Sequence, residues 1–120
     1  MKVLIVGARG MLGTELVEAF GPLHDVAGLA LPDLDISDEA SCLGLVRAAA
    51  PDLVVNAAAF TLVDECESRP EDAFRVYGHG AGHLARAAAS AGALLVHYST
   101  DYVFSGSAAR AYVEEDAPDP

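Results

Sequence analysis

Seven residues near the start of the chain, Gly7-Ala8-Arg9-Gly10-Met11-Leu12-Gly13, have the types and spacing to hold a diphosphate. They follow an apolar run and open a helical pattern. In that setting Gly7 permits a tight turn, Gly10 lets the backbone approach a pyrophosphate without a Cβ clash, and Gly13 lets the helix pack close to the strand. The phosphates then sit on the helix N-terminus, where free N–H groups and the helix dipole favour an anion. The spacing is G-x-x-G-x-x-G rather than the more familiar G-x-G-x-x-G, and an ordinary βα turn is the alternative. Strand–turn–helix context points to a dinucleotide. A P-loop is excluded, because no Gly-Lys-Ser/Thr follows.

Cofactor choice depends on the end of the second strand, where an acid would hold the adenosine ribose hydroxyls and favour NAD. That strand ends Gly28-Leu29-Ala30-Leu31, with no acid until Asp33. Arg9 lies inside the glycine loop, where a cation can face a 2′-phosphate. Both features lean toward NADPH over NADH, with a solvated loop arginine as the bland alternative for Arg9. Asp35 and Ile36 follow beside the expected adenine end. Asp35 can accept the adenine amino group and Ile36 can pack on the ring; equally, Asp35 can help cap the next helix. Asn56-Ala57-Ala58-Ala59 ends the third strand at the carboxyl edge, where such sheets bind ligands, and small side chains make room there. The fourth strand ends Tyr98-Ser99-Thr100-Asp101-Tyr102. These hydroxyls can bond a substrate carbonyl or serve local turn chemistry. His79 and His83 have i,i+4 spacing, but no Glu follows His79 and glycines surround the pair, so no metal site is expected. Asp64, Glu65 and Glu67 read as a solvated loop.

The elements that must position these residues alternate. Val3–Val6 and Leu53–Asn56 are continuous apolar runs, the mark of strands buried on both faces. Val26–Leu29 is a weaker strand and Ala93–Tyr98 a fourth. Met11–Phe20 reads as a helix with Leu12, Leu16, Val17 and Phe20 on one face, ended by Gly21-Pro22. Ser37 is placed to cap a helix over Asp38–Ala50. Ala57–Arg69 reads as a loop. Ser68 with Glu71 has capping-box spacing, with Pro70 in the first turn of a helix that runs to Ser90 or Ala91 and stops at Gly92. Glycines at 78, 80 and 82 weaken that helix and suggest close approach to the sheet. The pattern β-α-β-α-β-α-β predicts an α/β fold: a Rossmann-like, doubly wound parallel sheet of about four strands, incomplete, with an irregular tail from about 105. We expect one dinucleotide-binding domain over residues 1–120.

Composition narrows the partners. Hydrophobic residues make up 52% of the 120, which excludes disorder by composition. The formal net charge of −11 makes nucleic acid and anionic membrane surfaces poor partners. No run approaches the length of a membrane span. Cys42 and Cys66 are far apart and read as free thiols of a cytoplasmic protein.

Taken together, Gly7-x-x-Gly10-x-x-Gly13, Leu34-Asp35-Ile36-Ser37-Asp38, Pro51 through Thr61, Val63-Asp64 with Glu67, and His97 through Gly106 resemble the dTDP-4-dehydrorhamnose reductase family. These are extended short-chain dehydrogenase/reductases of nucleotide-sugar metabolism. The resemblance covers the whole chain, including Tyr112-x-Glu114-x-Asp116. It implies hydride transfer from NADPH or NADH to the 4-keto group of dTDP-4-keto-6-deoxy-L-mannose, and so a dTDP-sugar partner. Gly10, Met11 and Leu12 would then lie on the pyrophosphate. Asp35 and Ile36 would hold adenine, and Ala58, Ala59, Phe60 and Thr61 would line the cofactor further along. Thr100 would be the hydroxyl member of the Thr-Tyr-Lys triad, with Asp101 beside it. Glu15 falls where some members place an acid for magnesium at a homo-oligomer interface, but the other ligands lie outside this chain.

Two departures stand out. Where the family reads Val-Asn-x-x-Gly, this chain has Val76-Tyr77-Gly78-His79-Gly80. The Tyr-x-x-x-Lys pair that protonates the substrate oxygen is missing: Lys2 is the sole lysine. The resemblance therefore implies the NAD(P)H-binding portion of a reductase, inactive alone. The alternative is a non-catalytic nucleotide-binding or regulatory module, similar to the β subunit of methionine adenosyltransferase.

Overall fold

The computed structural model describes residues 1–60 and 63–120. Four strands form one parallel sheet: β1 (Lys2–Val6), β2 (Asp25–Leu29), β3 (Leu53–Asn56) and β4 (Leu94–His97), in the order β2-β1-β3-β4. Register pairs Val6 with Leu29 on one side and with Asn56 on the other, and Asn56 with His97. The carboxyl ends of all four strands therefore lie along one edge. The chain leaves β1 in one direction to reach β2 and returns to the other side for β3, which puts a topological switch point at the end of β1.

Alternation along β1 divides the core into two layers. Val3 and Ile5 join Val55 on one face, covered by Leu16, Val17 and Phe20 of α1 (Met11–Phe20). Leu4 and Val6 join Val54 on the other, covered by Cys42 and Val46 of α2 (Glu39–Ala49) and by Leu84, Ala87 and Ala88 of α5 (Ala81–Ala91). The two alanines let α5 lie close to its neighbours. Each large aliphatic side chain buried here contributes about 2 kcal/mol against exposure.

The helix stops obey simple chemistry. Gly92 adopts φ 69° and donates its N–H to the carbonyls of Ala88 and Ala89, closing α5 in the left-handed conformation that suits glycine. Gly80 is buried where a Cβ would fall 2.6 Å from Ile36 Cγ1, so its absence lets the helix meet the loop after β2. The close approach expected of the glycines is thus made at Gly80, toward that loop rather than the sheet.

Several local expectations are corrected. Asp38, not Ser37, caps α2: its carboxylate accepts the N–H groups of Ala40 and Ser41. The Ser41 hydroxyl also bonds it, and these contacts hold the Asp38 carboxyl below the usual range. Asp is as good a cap as Ser, and the chain offered both in sequence. Part of the expected loop 57–69 forms a short helix, α3 (Val63–Ser68). Its acidic surface carries no apolar period to announce it. The capping box does not form: Arg69 is the N-cap of α4 (Pro70–Phe74), without a side-chain bond, and Ser68 Oγ donates to the Glu65 carbonyl. The helix from Pro70 reaches Ala91 as expected, but through a π-helical segment, Arg75–Gly80. Leu12 is exposed rather than packed beside Leu16. After β4, Thr100 caps a 3-10 turn over Asp101–Val103, and the rest of the tail is irregular. Among the described residues, no helix is long and apolar enough to cross a membrane.

Candidate functional site

The turn between β1 and α1 is built from backbone. Gly7 and Ala8 donate their N–H groups to the Leu29 carbonyl at 2.8 and 3.1 Å, which ties the turn to the end of β2. Gly7 has φ 83°, and a Cβ on it would lie 2.6 Å from Ala58 N and 2.7 Å from Ala57 C. A Cβ on Gly13 would lie 2.0 Å from the Gly7 carbonyl oxygen. Gly10 differs: its φ is −77°, and a Cβ there would meet only the Gly7 carbonyl, at 3.2 Å. Two glycines thus make room for the protein itself, and Gly10 leaves room outside it. No side chain caps α1 and no acid stands in its first turn, so the leading N–H groups face outward without a protein carboxylate to neutralise them. Met11, the first residue of α1, is 92% exposed.

Beside the turn, Arg9 reaches across to the segment after β2. Its guanidinium donates to the Leu31 carbonyl at 2.9 Å and to Asp33 Oδ2 at 2.8 Å. Both side chains stay largely exposed. The first acid after β2 is therefore paired with the cation of the glycine loop, a contact across 24 residues that no local pattern signals. Asp35 accepts the Ser37 N–H, a local turn contact. Ile36 is 5% exposed and its side chain is packed in the core, so it is not open to stack on an adenine ring as expected. Its carbonyl accepts from His83 Nδ1 at 2.9 Å. His83 therefore ties α5 to this loop, with its ring stacked near that of His79. Cys42 Sγ points at the same carbonyl, and burial, followed by Asp38, Asp35 and Glu39, pushes its thiol up to about 11.

At the end of β3, Asn56 is buried and bonded through both its amide nitrogen and its oxygen. Its amide nitrogen donates to His97 Nδ1 at 3.0 Å and its oxygen accepts the Ala58 N–H at 3.0 Å. One side chain thereby fixes the end of β4 and the bend that carries Ala57 and Ala58 against Gly7. Neither role was legible from the run Asn56-Ala57-Ala58-Ala59. Ala58 is half-buried, Ala59 exposed and Phe60 half-buried. Thr61 lies outside the described residues. Phe60 is held by three side chains: Tyr77 Oη donates to its carbonyl at 2.8 Å, Cys66 Sγ lies 3.9 Å from the same oxygen, and Arg69 stands over its ring at 5.5 Å. Burial first, and then the neighbouring Cys66, push the Tyr77 phenol up. At Tyr77, where the resemblance leads one to expect asparagine, a phenol supports the loop.

Beyond β4, Thr100 Oγ1 accepts the Tyr102 N–H and donates to Asp101 Oδ1 at 3.4 Å. Both residues are exposed. The tail folds on itself: Phe104 stacks on Tyr112 at 4.4 Å, and Arg110 pairs with Asp116. The Ser105 hydroxyl and the Ala108 N–H hold the Tyr112 phenol below its usual range. Among the described residues, no three His, Cys, Asp or Glu side chains converge as a metal site would require.

A parallel sheet ordered β2-β1-β3-β4, helices on both faces and a glycine turn at the switch point define a Rossmann-like α/β protein. The chain belongs to the family described as the RmlD substrate binding domain, whose model matches residues 1–120. It is 43% identical over 120 residues to a dTDP-4-dehydrorhamnose reductase from Burkholderia thailandensis, covering 100% of this chain and 40% of that protein. Among solved structures, a reductase of the same name from Clostridium acetobutylicum matches with TM-score 0.95 and 39% identity, over 100% of this chain and 43% of that one. The Bacillus anthracis reductase, solved in complex with NADP, matches with TM-score 0.95 and 35% identity, over 99% of this chain and 43% of that one. The chain thus spans about 40% of the length of these relatives.

Proposed function

We propose that this chain is the dinucleotide-binding portion of an NAD(P)H-dependent nucleotide-sugar reductase acting on dTDP-4-keto-6-deoxy-L-mannose. The observation that carries it is the β1–α1 corner: Gly10 leaves open space over an uncapped, acid-free helix N-terminus at the sheet's switch point. A pyrophosphate fits there, on the N–H groups of Met11, Leu12 and Gly13. The B. anthracis relative, a complex with NADP, supports the same cofactor class. Arg9 favours NADPH. Asp35 accepts the adenine amino group, and Ala58, Ala59, Phe60 and Thr61 line the path toward the nicotinamide, which supplies the hydride.

Thr100 orients the substrate ketone by turning its hydroxyl from Asp101 Oδ1 to the reacting oxygen, and Asp101 stands as the partner it leaves. The developing alkoxide needs a proton, and a positioned acid contributes about 10²–10⁴-fold. A threonine hydroxyl is too weak an acid for this, and residues 1–120 hold no Tyr-x-x-x-Lys. The 120 residues alone therefore bind cofactor without turnover. Calorimetric titration tests the site. Wild type binds NADPH and NADH, while Gly10→Val, whose φ of −77° tolerates valine, keeps its fold but loses binding. Equal affinity in the two proteins refutes the site.

A further inference from the structure

The segment after β3 is held at two points along its length. Close to the strand, Asn56 Oδ1 takes the Ala58 N–H at 3.0 Å. Further on, Tyr77 Oη donates to the Phe60 carbonyl at 2.8 Å from the π-helical segment Arg75–Gly80. Exposed Ala59 lies between the two holds. The second hold comes from an anchored place. A Cβ on Gly80 would lie 2.6 Å from Ile36 Cγ1, and His83 Nδ1 lies 2.9 Å from the Ile36 carbonyl, so the helix around Tyr77 is fixed to the loop after β2. Such π-helical turns occur often at functional sites. Burial, and then Cys66, push the phenol up, which keeps its proton available to donate. Cys66 Sγ approaches the same carbonyl at 3.9 Å, but a thiol is a weak donor. The phenol is therefore the strong link between this segment and the helix. An asparagine in its place is much shorter and would not reach that oxygen from the same backbone.

We propose that Tyr77 is a positioning residue for the nicotinamide half of a bound dinucleotide. This rests on the dinucleotide site proposed above, in which Ala58, Ala59 and Phe60 line the path from the pyrophosphate toward the nicotinamide. Tyr77 acts through Phe60 and need not touch the cofactor. By holding the Phe60 carbonyl toward the helix, it sets the course of the main chain from Ala58 to Phe60, and with it the width of the path. Held at the Asn56 end alone, the segment would be free to swing about Ala58, and the cofactor would have to order it on binding. That ordering cost falls on the ligand that reaches along the segment. The adenine half sits at the glycine turn and the loop after β2, whose own contacts do not involve the phenol. Loss of the phenol oxygen therefore weakens the hold on one half of the dinucleotide and spares the other.

The test titrates wild type and Tyr77→Phe with NADPH and with 2′,5′-ADP, which carries the adenine half of NADPH without the nicotinamide. Phenylalanine keeps the ring and removes only the donor. In Tyr77→Phe the NADPH affinity falls about fivefold, the worth of a neutral hydrogen bond, while the 2′,5′-ADP affinity stays within about twofold of wild type. Thermal midpoints recorded alongside report on folding. Unchanged NADPH affinity in Tyr77→Phe overturns the positioning role and leaves the site standing. An equal fall for both ligands, whether or not the midpoint drops, shows a general structural role and overturns the proposal too. Failure of the wild type to bind NADPH overturns the dinucleotide site, and the proposal with it.

Discussion

Two corners of this molecule lie on the same edge of the same sheet and are built in opposite ways. At the β1–α1 corner the shape is made by backbone: a carbonyl of β2 takes two N–H groups of the turn, and glycines sit where a Cβ would strike main-chain atoms. At the β4 corner the shape is made by side chains bonding their own turn, with Thr100 and Asp101 exposed. Leu94, at 71% exposure, and Val96 stand open on β4, and the sheet order ends there among the described residues. The first corner is fixed by main-chain contacts. The second is held only by bonds within its own turn.

Substitutions should separate the corners sharply. Gly13→Ala places a methyl 2.0 Å from the Gly7 carbonyl oxygen, and backbone cannot yield cheaply. We expect a loss of about 3 kcal/mol in denaturant unfolding, the upper part of the range for overpacking. A loss below about 1 kcal/mol would show that the turn relaxes and would erase the contrast. Asn56→Ala spans both corners, because it leaves the Ala58 N–H without its acceptor and His97 without its donor. It should cost about 1–3 kcal/mol, the penalty for a buried group left unpaired, and amide exchange should rise at Ala58 before the rest of the sheet. Protection at Ala58 equal to wild type would mean that the bend holds without Asn56. Thr100→Val should change stability by no more than about 0.5 kcal/mol, as for an exposed residue in a local turn. A larger change would mean that the β4 corner is as preformed as its neighbour.

The same division explains what was legible in the sequence. The segments β3 and α1 lie over Leu53–Asn56 and Met11–Phe20 as the apolar runs and stop signals required: a buried strand leaves few choices of residue, and glycines bracket the helix. β4 is shorter than the apolar run by a residue at each end, where pairing stops before hydrophobicity does. The glycine turn could be read because backbone geometry demands glycine at fixed offsets. The contacts that organise the rest could not. Arg9 with Asp33, Asn56 with His97 and Tyr77 with Phe60 join residues 17 to 41 positions apart, and each pair is polar and unmarked by any period. Asp38 took the cap expected of Ser37 because two good capping residues stood side by side.

The π-helical turn at Arg75–Gly80 sets the phase of everything around it. Along a regular α-helix, each residue advances the azimuth by about 100°. A wider turn interposed in the path breaks that phase, so the two halves of Pro70–Ala91 need not obey one helical wheel. The turn itself carries Tyr77, bonded to Phe60, while the helix after it turns Leu84, Ala87 and Ala88 toward the sheet. Trimming one residue from the turn would restore a regular screw and swing one of these faces away from its target. The helix thus behaves as two rulers joined by a vernier, whose offset lets the core and the loop be aligned separately.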